Sequence, residues 1–197
     1  MTLLPDFELG FWNAWILLLY FPLHPLIFFI VDKLVGRGGI MQKMGDVPFE
    51  KEEKIAAGIS MFIALLLLVA SIFLPMQLGT AWFYVGLALY FPGLAMFMAA
   101  IVTIAKTPAG QPFTDGVYCY SRHPMVLGSS LTFIGAGIAT ASLVFTLLAV
   151  ILMFVDVRMA VAEERGCLEI YGEEYKAYLN RTSRWIGVPP SRSDDST

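Results

Sequence analysis

The chain has 197 residues, 57% of them hydrophobic and 15% charged, and its mean hydropathy of +0.70 is too apolar for an ordinary soluble domain. That length accommodates about five apolar spans of roughly 20 residues and little else. A formal net charge of -3 offers no basic surface to nucleic acid, and the two cysteines, Cys119 and Cys167, have no CxxC or His/Cys spacing that would hold a metal.

Leu9–Val31 carries no formal charge and reads as a first span, kinked at Pro22-Leu23-His24-Pro25, with Trp12 and Trp15 near an interface. The run is too long, and its start too poor in positive charge, for a cleaved leader. His24 within it either serves a function or hydrogen-bonds a neighbouring carbonyl. Asp32–Lys54 is a polar, glycine-containing loop. Ile55–Leu74 is a second span ended by Pro75, and Trp82–Ala105 a third, which Pro92-Gly93 should bend. Lys106–Pro124 is polar and dense in turn formers: Pro108, Gly110, Pro112 and Asp115-Gly116.

Met125–Val155 has no charge over 31 residues. As one helix it would be about 46 Å long against a hydrocarbon core of ~30 Å. The small residues from Gly135 to Ser142 allow a turn, so the stretch is expected to form a hairpin of two short helices turning at Ala139–Ser142. Beyond Val155, Asp156, Arg158 and Glu163-Glu164-Arg165 mark the helix leaving the apolar layer. Gly172–Arg181 is a second amphipathic segment, with Tyr171, Tyr175 and Tyr178 at helical spacing. Pro189-Pro190 and the residues to Thr197 read as a disordered tail.

The expected fold is therefore all-α. It is a polytopic membrane protein of about five transmembrane helices, including the C-terminal hairpin, plus a cytoplasmic amphipathic C-terminal helix. Residues 1–187 form one domain and 188–197 a tail. With five spans, all thirteen Lys and Arg residues fall on one side, in groups at 33–54, 106–122 and 158–192. Short Lys/Arg-rich loops stay in the cytoplasm, so the N-terminus is expected outside and the C-terminus inside. Both cysteines then face a reducing compartment, and a disulfide is not expected. Spans two to five keep no ionisable residue between their ends, which argues against an ion-coupled transporter.

Two polar clusters remain. Gly116-Val117-Tyr118-Cys119-Tyr120-Ser121-Arg122-His123-Pro124 runs straight into span four. Glu163-Glu164 lies eight residues before Gly172-Glu173-Glu174-Tyr175. Read singly, Arg122 is a snorkelling interfacial arginine before a helix-start proline, and the acidic pair a solvated helix face. The hairpin, however, returns both clusters to the same interface.

In order and spacing these clusters resemble the integral-membrane methyltransferase family that includes isoprenylcysteine carboxyl methyltransferase and the phosphatidylethanolamine N-methyltransferases. The matching stretches are Gly116-Val117-Tyr118, Arg122-His123-Pro124-Met125-Val126, Glu163-Glu164 and Tyr171-Gly172-Glu173-Glu174-Tyr175, within residues 105–187. The departure is Val126, where the family usually has tyrosine. The resemblance implies S-adenosylmethionine as cofactor. Gly110, Gln111, Pro112, Phe113, Tyr118, His123, Pro124, Met125 and Val126 would form one wall of its pocket, with Glu163 and Glu164 holding its polar groups. The chemistry agrees, since a carboxylate at a partly dry interface favours the cofactor's ammonium and sulfonium. The unpaired N–H groups at the start of span four suit its carboxylate. No GxGxxG pattern of a soluble nucleotide-binding domain is present.

The resemblance further implies a methyl acceptor carried on a lipophilic molecule in the bilayer. The first expectation is the carboxylate of an isoprenylcysteine, which is already ionised at neutral pH and needs no base. Arg158 is the candidate clamp for that carboxylate, although Asp156 or a lipid phosphate could take it instead. The alternatives are phospholipid amine methylation, which needs a base to remove a proton, a sterol-type membrane reductase, and a non-enzymatic membrane protein. No metal is expected.

Overall fold

The computed structural model describes residues 1–3, 7–36 and 48–188. Expectations for part of the first polar loop and for the tail beyond Val188 lie outside these residues. The helices are α1 (Trp15–Leu18), α2 (Tyr20–Leu34), α3 (Lys51–Phe73), α4 (Ala81–Lys106), α5 (Pro124–Ala139) and α6 (Leu143–Arg181), with a 3-10 turn at Gly116–Cys119 between α4 and α5. No strand occurs among the described residues, only the isolated bridges Thr2–Ser142 and Asn13–Pro75. The protein is all-helical and polytopic, as expected.

Among the described residues, four helical segments are long and apolar enough to cross a bilayer: α1–α2 together, α3, α4 and α6. The fourth expected span, α5, is apolar but has 16 residues, about 24 Å of rise. It is the first arm of the expected hairpin. The turn falls at Thr140-Ala141-Ser142, with Ala141 at φ 52 and the Ser142 hydroxyl accepting the Phe145 amide at 3.2 Å to start α6.

The first span differs from expectation, because helix begins at Trp15 rather than Leu9. The preceding residues instead satisfy the free carbonyls at the end of α3. Glu8 and Ala14 donate backbone N–H groups to Phe73 O and Leu74 O, each at 2.9 Å. The buried Asn13 side chain donates to Ile72 O and Glu8 O. The last carbonyls of a helix need such partners, and hydropathy alone does not show that demand. Farther along, His24 takes the bland role considered above, its Nδ1 donating to Phe21 O one turn earlier.

The site rests on the α4–α5 pair. These helices run antiparallel and meet through glycine on both sides: Gly86 faces Gly135, and Gly93 faces Gly128. A Cβ added to Gly86 would lie 2.5 Å from Gly135 O and Ala139 N, and one on Gly135 would lie 2.7 Å from Gly86 O. In lipid, helix association relies on such close backbone approach rather than on a hydrophobic driving force. Gly135→Leu is expected to destabilise the protein by about 3 kcal/mol or more, because the added atoms meet backbone that cannot rotate away. Gly58→Leu on α3, where a Cβ meets nothing within 4 Å, should leave stability near wild type. Thermal unfolding of both variants in detergent checks this, and equal melting would refute the packing argument.

Polar ties fix the other helices. The Tyr90 hydroxyl donates to Leu17 O at 2.6 Å, and Tyr20 bonds Thr132 on α5. Ser60 on α3 donates to Asp156 on α6. Arg165 reaches the first turn of α3, 2.7 Å from Glu53 and 3.3 Å from Glu50. From Leu143 to the break at Gly172, α6 rises about 43 Å, so its last turns before Gly172 project beyond the ~30 Å hydrocarbon layer that its first part crosses.

Candidate active site

Polar chemistry gathers where α6 leaves its apolar first half. The loop after α4 returns through the 3-10 turn to His123, and Pro124 opens α5 at its first position, where its missing N–H costs nothing. Gly116, at φ 57, allows that turn to lie against α4, where Thr103 Oγ1 would sit 2.6 Å from an added Cβ. The second half of α6 passes alongside. Gly172 then breaks it at φ 55, ψ -128, so the helix continues at a new angle and its tyrosines turn back toward the loop. Tyr178 is buried and donates to Tyr118 O at 2.8 Å.

Between these elements lies a cavity of about 210 Å³, lined on one side by Ile104, Pro112, Phe113, Tyr118, Arg122, His123, Met125 and Val126. Glu163, Cys167, Ile170, Tyr171, Tyr175 and Tyr178 line the other. Seven expected residues thus meet here: Pro112, Phe113, Tyr118, His123, Met125, Val126 and Glu163. Gly110 and Gln111 are exposed outside the lining, and Pro124 is buried behind it. Arg158 is exposed on α6 and is not a lining residue. Its expected competitor Asp156 is held by Ser60 instead.

Glu164 turns away from the cavity into an ion-pair cluster. Its Oε1 lies 3.1 Å from Arg122 Nη1 as an ion pair and accepts from His123 Nε2 at 3.0 Å and Arg184 Nε at 3.0 Å, and its Oε2 accepts from Arg184 Nη2 at 2.8 Å. Both oxygens are therefore occupied by protein. His123 spans the two carboxylates, its Nδ1 lying 3.5 Å from Glu163 Oε2 on the cavity wall. Burial pushes this imidazole pKa down, but hydrogen bonds to Glu163 and Glu164 outweigh burial and raise it above its ordinary value. Burial likewise holds the Tyr118 hydroxyl well above the usual phenol range, so it remains a neutral donor.

The segment after α6 contributes more than its sequence suggested. Ser183 O accepts the Arg122 amide at 3.1 Å, Gly187 N donates to Tyr120 O at 2.8 Å, and Trp185 packs its ring 5.9 Å from that of His123. Arg184 and Trp185 were missed because they resemble an ordinary basic tail. The available signal was a cation–aromatic pair between a tyrosine-bearing helix and Pro189-Pro190.

One wall donor is left over. Arg122 Nε is buried and has no hydrogen-bond partner among the described residues. At the start of α5, the amides of Met125 and Val126 precede the first intrahelical bond, which runs from Leu127 N to His123 O. The cavity thus combines a carboxylate, aromatic rings and anion-seeking N–H donors.

Residues 103–174 match the phospholipid methyltransferase family model. That stretch contains both clusters and the helices joining them, so the resemblance to integral-membrane methyltransferases holds over it. A relative, methanethiol S-methyltransferase 1 of Bradyrhizobium diazoefficiens, is 35% identical over 74 residues. The aligned stretch covers 37% of this chain and 25% of that protein, so the match spans about a quarter of the relative's length.

Proposed function

We propose that the protein is an S-adenosylmethionine-dependent methyltransferase acting on an acceptor borne by a lipophilic molecule. The observation that carries this reading is one cavity joining both ends of the methyltransferase-like stretch, Ile104–Val126 and Glu163–Tyr178. The donor set suits the cofactor. Glu163 and the tyrosine faces favour its cationic centres, while Arg122 Nε and the Met125 and Val126 amides suit its carboxylate. When bound, the sulfonium supplies an electrophilic methyl group whose C–S bonding electrons remain on sulfur as the acceptor's lone pair forms the new bond. The chain's part is alignment and water exclusion, which contribute several kcal/mol to such displacements. The cavity would face the cytoplasm, with the N-terminus outside and the C-terminus inside, because that arrangement keeps the Lys/Arg-rich segments together.

For the acceptor, the resemblance favours the carboxylate of an isoprenylcysteine, with Arg158 as its clamp. A specific observation favours a second reading: the cavity wall carries Glu163 beside His123, a couple able to accept a proton, whereas Arg158 lies outside the lining. That arrangement suits an amine or thiol, which must lose its proton before or during attack.

The test is calorimetric titration of the purified full chain with S-adenosylmethionine, followed by methyl-transfer assays with a farnesylcysteine analogue, phosphatidylethanolamine and an alkane thiol. A carboxylate acceptor predicts rates flat from about pH 6 to 8, since its pKa lies near 4, and an Arg158→Met variant that loses turnover but keeps cofactor affinity. A protic acceptor predicts rates rising with pH and indifference to Arg158→Met. Absence of S-adenosylmethionine binding overturns the proposal, and binding of a nicotinamide cofactor in its place supports the reductase reading.

A further inference from the structure

Glu164 accepts three hydrogen bonds and pairs with Arg122, and two of those bonds come from a residue outside the family-matched stretch. Arg184 grips it with a two-pronged guanidinium fork, at Oε1 by Nε and at Oε2 by Nη2. Oε2 has no other partner among the described residues, while Oε1 is shared with Arg122 and His123. The backbone of the same segment is pinned independently of the Arg184 side chain, through Ser183 O, Arg184 O and Gly187 N to Arg122, Ser121 and Tyr120. The fork is therefore presented to Glu164 on a fixed support.

We infer that Arg184 is a positioning residue. By occupying both oxygens of Glu164 it limits that carboxylate's hold on His123 and leaves the ring poised between Glu164 and the cavity-wall Glu163. The inference rests on the cavity being the reaction site, and it names a residue that controls the site from outside.

Among the described residues, the groups facing His123 come from three elements. Glu163 and Glu164 come from α6, Arg122 is its neighbour on the loop, Arg184 and Trp185 come from the returning segment, and the buried Tyr118, Tyr175 and Tyr178 line the same cavity. With Arg184 present, two guanidiniums share the Glu164 charge. Without it only Arg122 remains beside Glu164, Oε2 loses its donor, and the neighbour whose protonation can supply further positive charge is the His123 imidazole. The protonated ring then becomes more favoured. His123 already titrates above its ordinary value, so the change moves it farther in the same direction.

The chain has only two histidines, His24 and His123, which makes the site directly readable. Ring resonances of the full chain, labelled at histidine and held in detergent, are followed against pH, with a His24→Asn variant assigning the signals. Arg184→Gln is expected to raise the His123 midpoint by about one pH unit, and a midpoint unchanged or lowered overturns the inference. Should Arg184→Gln not fold, Arg184→Lys carries the test. An ammonium meets the two oxygens less well than the fork, so the midpoint rises by a smaller margin, and a midpoint identical to wild type overturns the inference. Titrating the same samples with S-adenosylmethionine keeps the two ideas apart. Wild type that fails to bind it defeats the proposed function while the shift of His123 still stands, and a bound cofactor with an unmoved His123 defeats only the role of Arg184.

Discussion

Glu164→Ala is expected to lower the stability of the protein by about 3 kcal/mol, the lower end of the range for removing one partner of a buried ion pair. The carboxylate is almost wholly buried, with 8% of its side chain exposed, and Arg122 beside it keeps 14%. Its loss leaves Arg122 and His123 without their shared acceptor in a dry setting. Arg184 is 40% exposed and can turn to water, which softens the loss. Unfolding in detergent measures the change. A destabilisation under about 1 kcal/mol would reduce the cluster to a weak surface interaction.

The same cluster sets a pH signature. Because the folded-state pKa of His123 is raised, its protonated form contributes stability that is fully present below about pH 6.5, its unfolded value. That contribution fades as pH rises through the raised folded-state value. Removing Glu164 takes away one of the two carboxylates that raise the pKa and leaves burial, which lowers it. Stability of the Glu164→Ala protein should therefore depend less on pH across this window than that of wild type.

Much of this arrangement is legible in the amino-acid sequence. The charge-free run from Met125 to Val155 was too long for one span, and the small residues from Gly135 to Ser142 located its turn. The hairpin then required the loop before α5 and the acidic pair on α6 to meet. What the sequence hid were long-range satisfactions of polar groups. Nothing in the pattern of Glu8–Ala14 announces that amides there are needed by the last carbonyls of α3. Nor does the exposed-looking Ser183-Arg184-Trp185 announce that the chain reverses after Thr182 and brings its arginine back onto Glu164, 20 residues earlier. Adjacent glutamates looked equivalent. Helical geometry separates them by about 100°, turning Glu163 to the cavity and Glu164 into the ion cluster.

That division predicts different fates for the two acids. Glu163→Gln should fold as wild type does, because Glu163 is 45% exposed and the amide retains its shape. It should weaken S-adenosylmethionine binding about ten- to a hundredfold, the equivalent of a lost charge-assisted hydrogen bond of about 1.5–3 kcal/mol. Among the described residues the carboxylate is the sole acidic side chain on the cavity lining, and no other lining acid replaces the lost charge. His123→Ala should also weaken binding, since the ring that orients Glu163 at 3.5 Å is removed. Combining the two changes should cost less than the sum of the single losses, because both act on one contact. Calorimetry on the three variants supplies the cycle. Full additivity would mean that His123 and Glu163 act on the cofactor separately. Unchanged affinity in Glu163→Gln would return Glu163 to the status of a solvated helix residue.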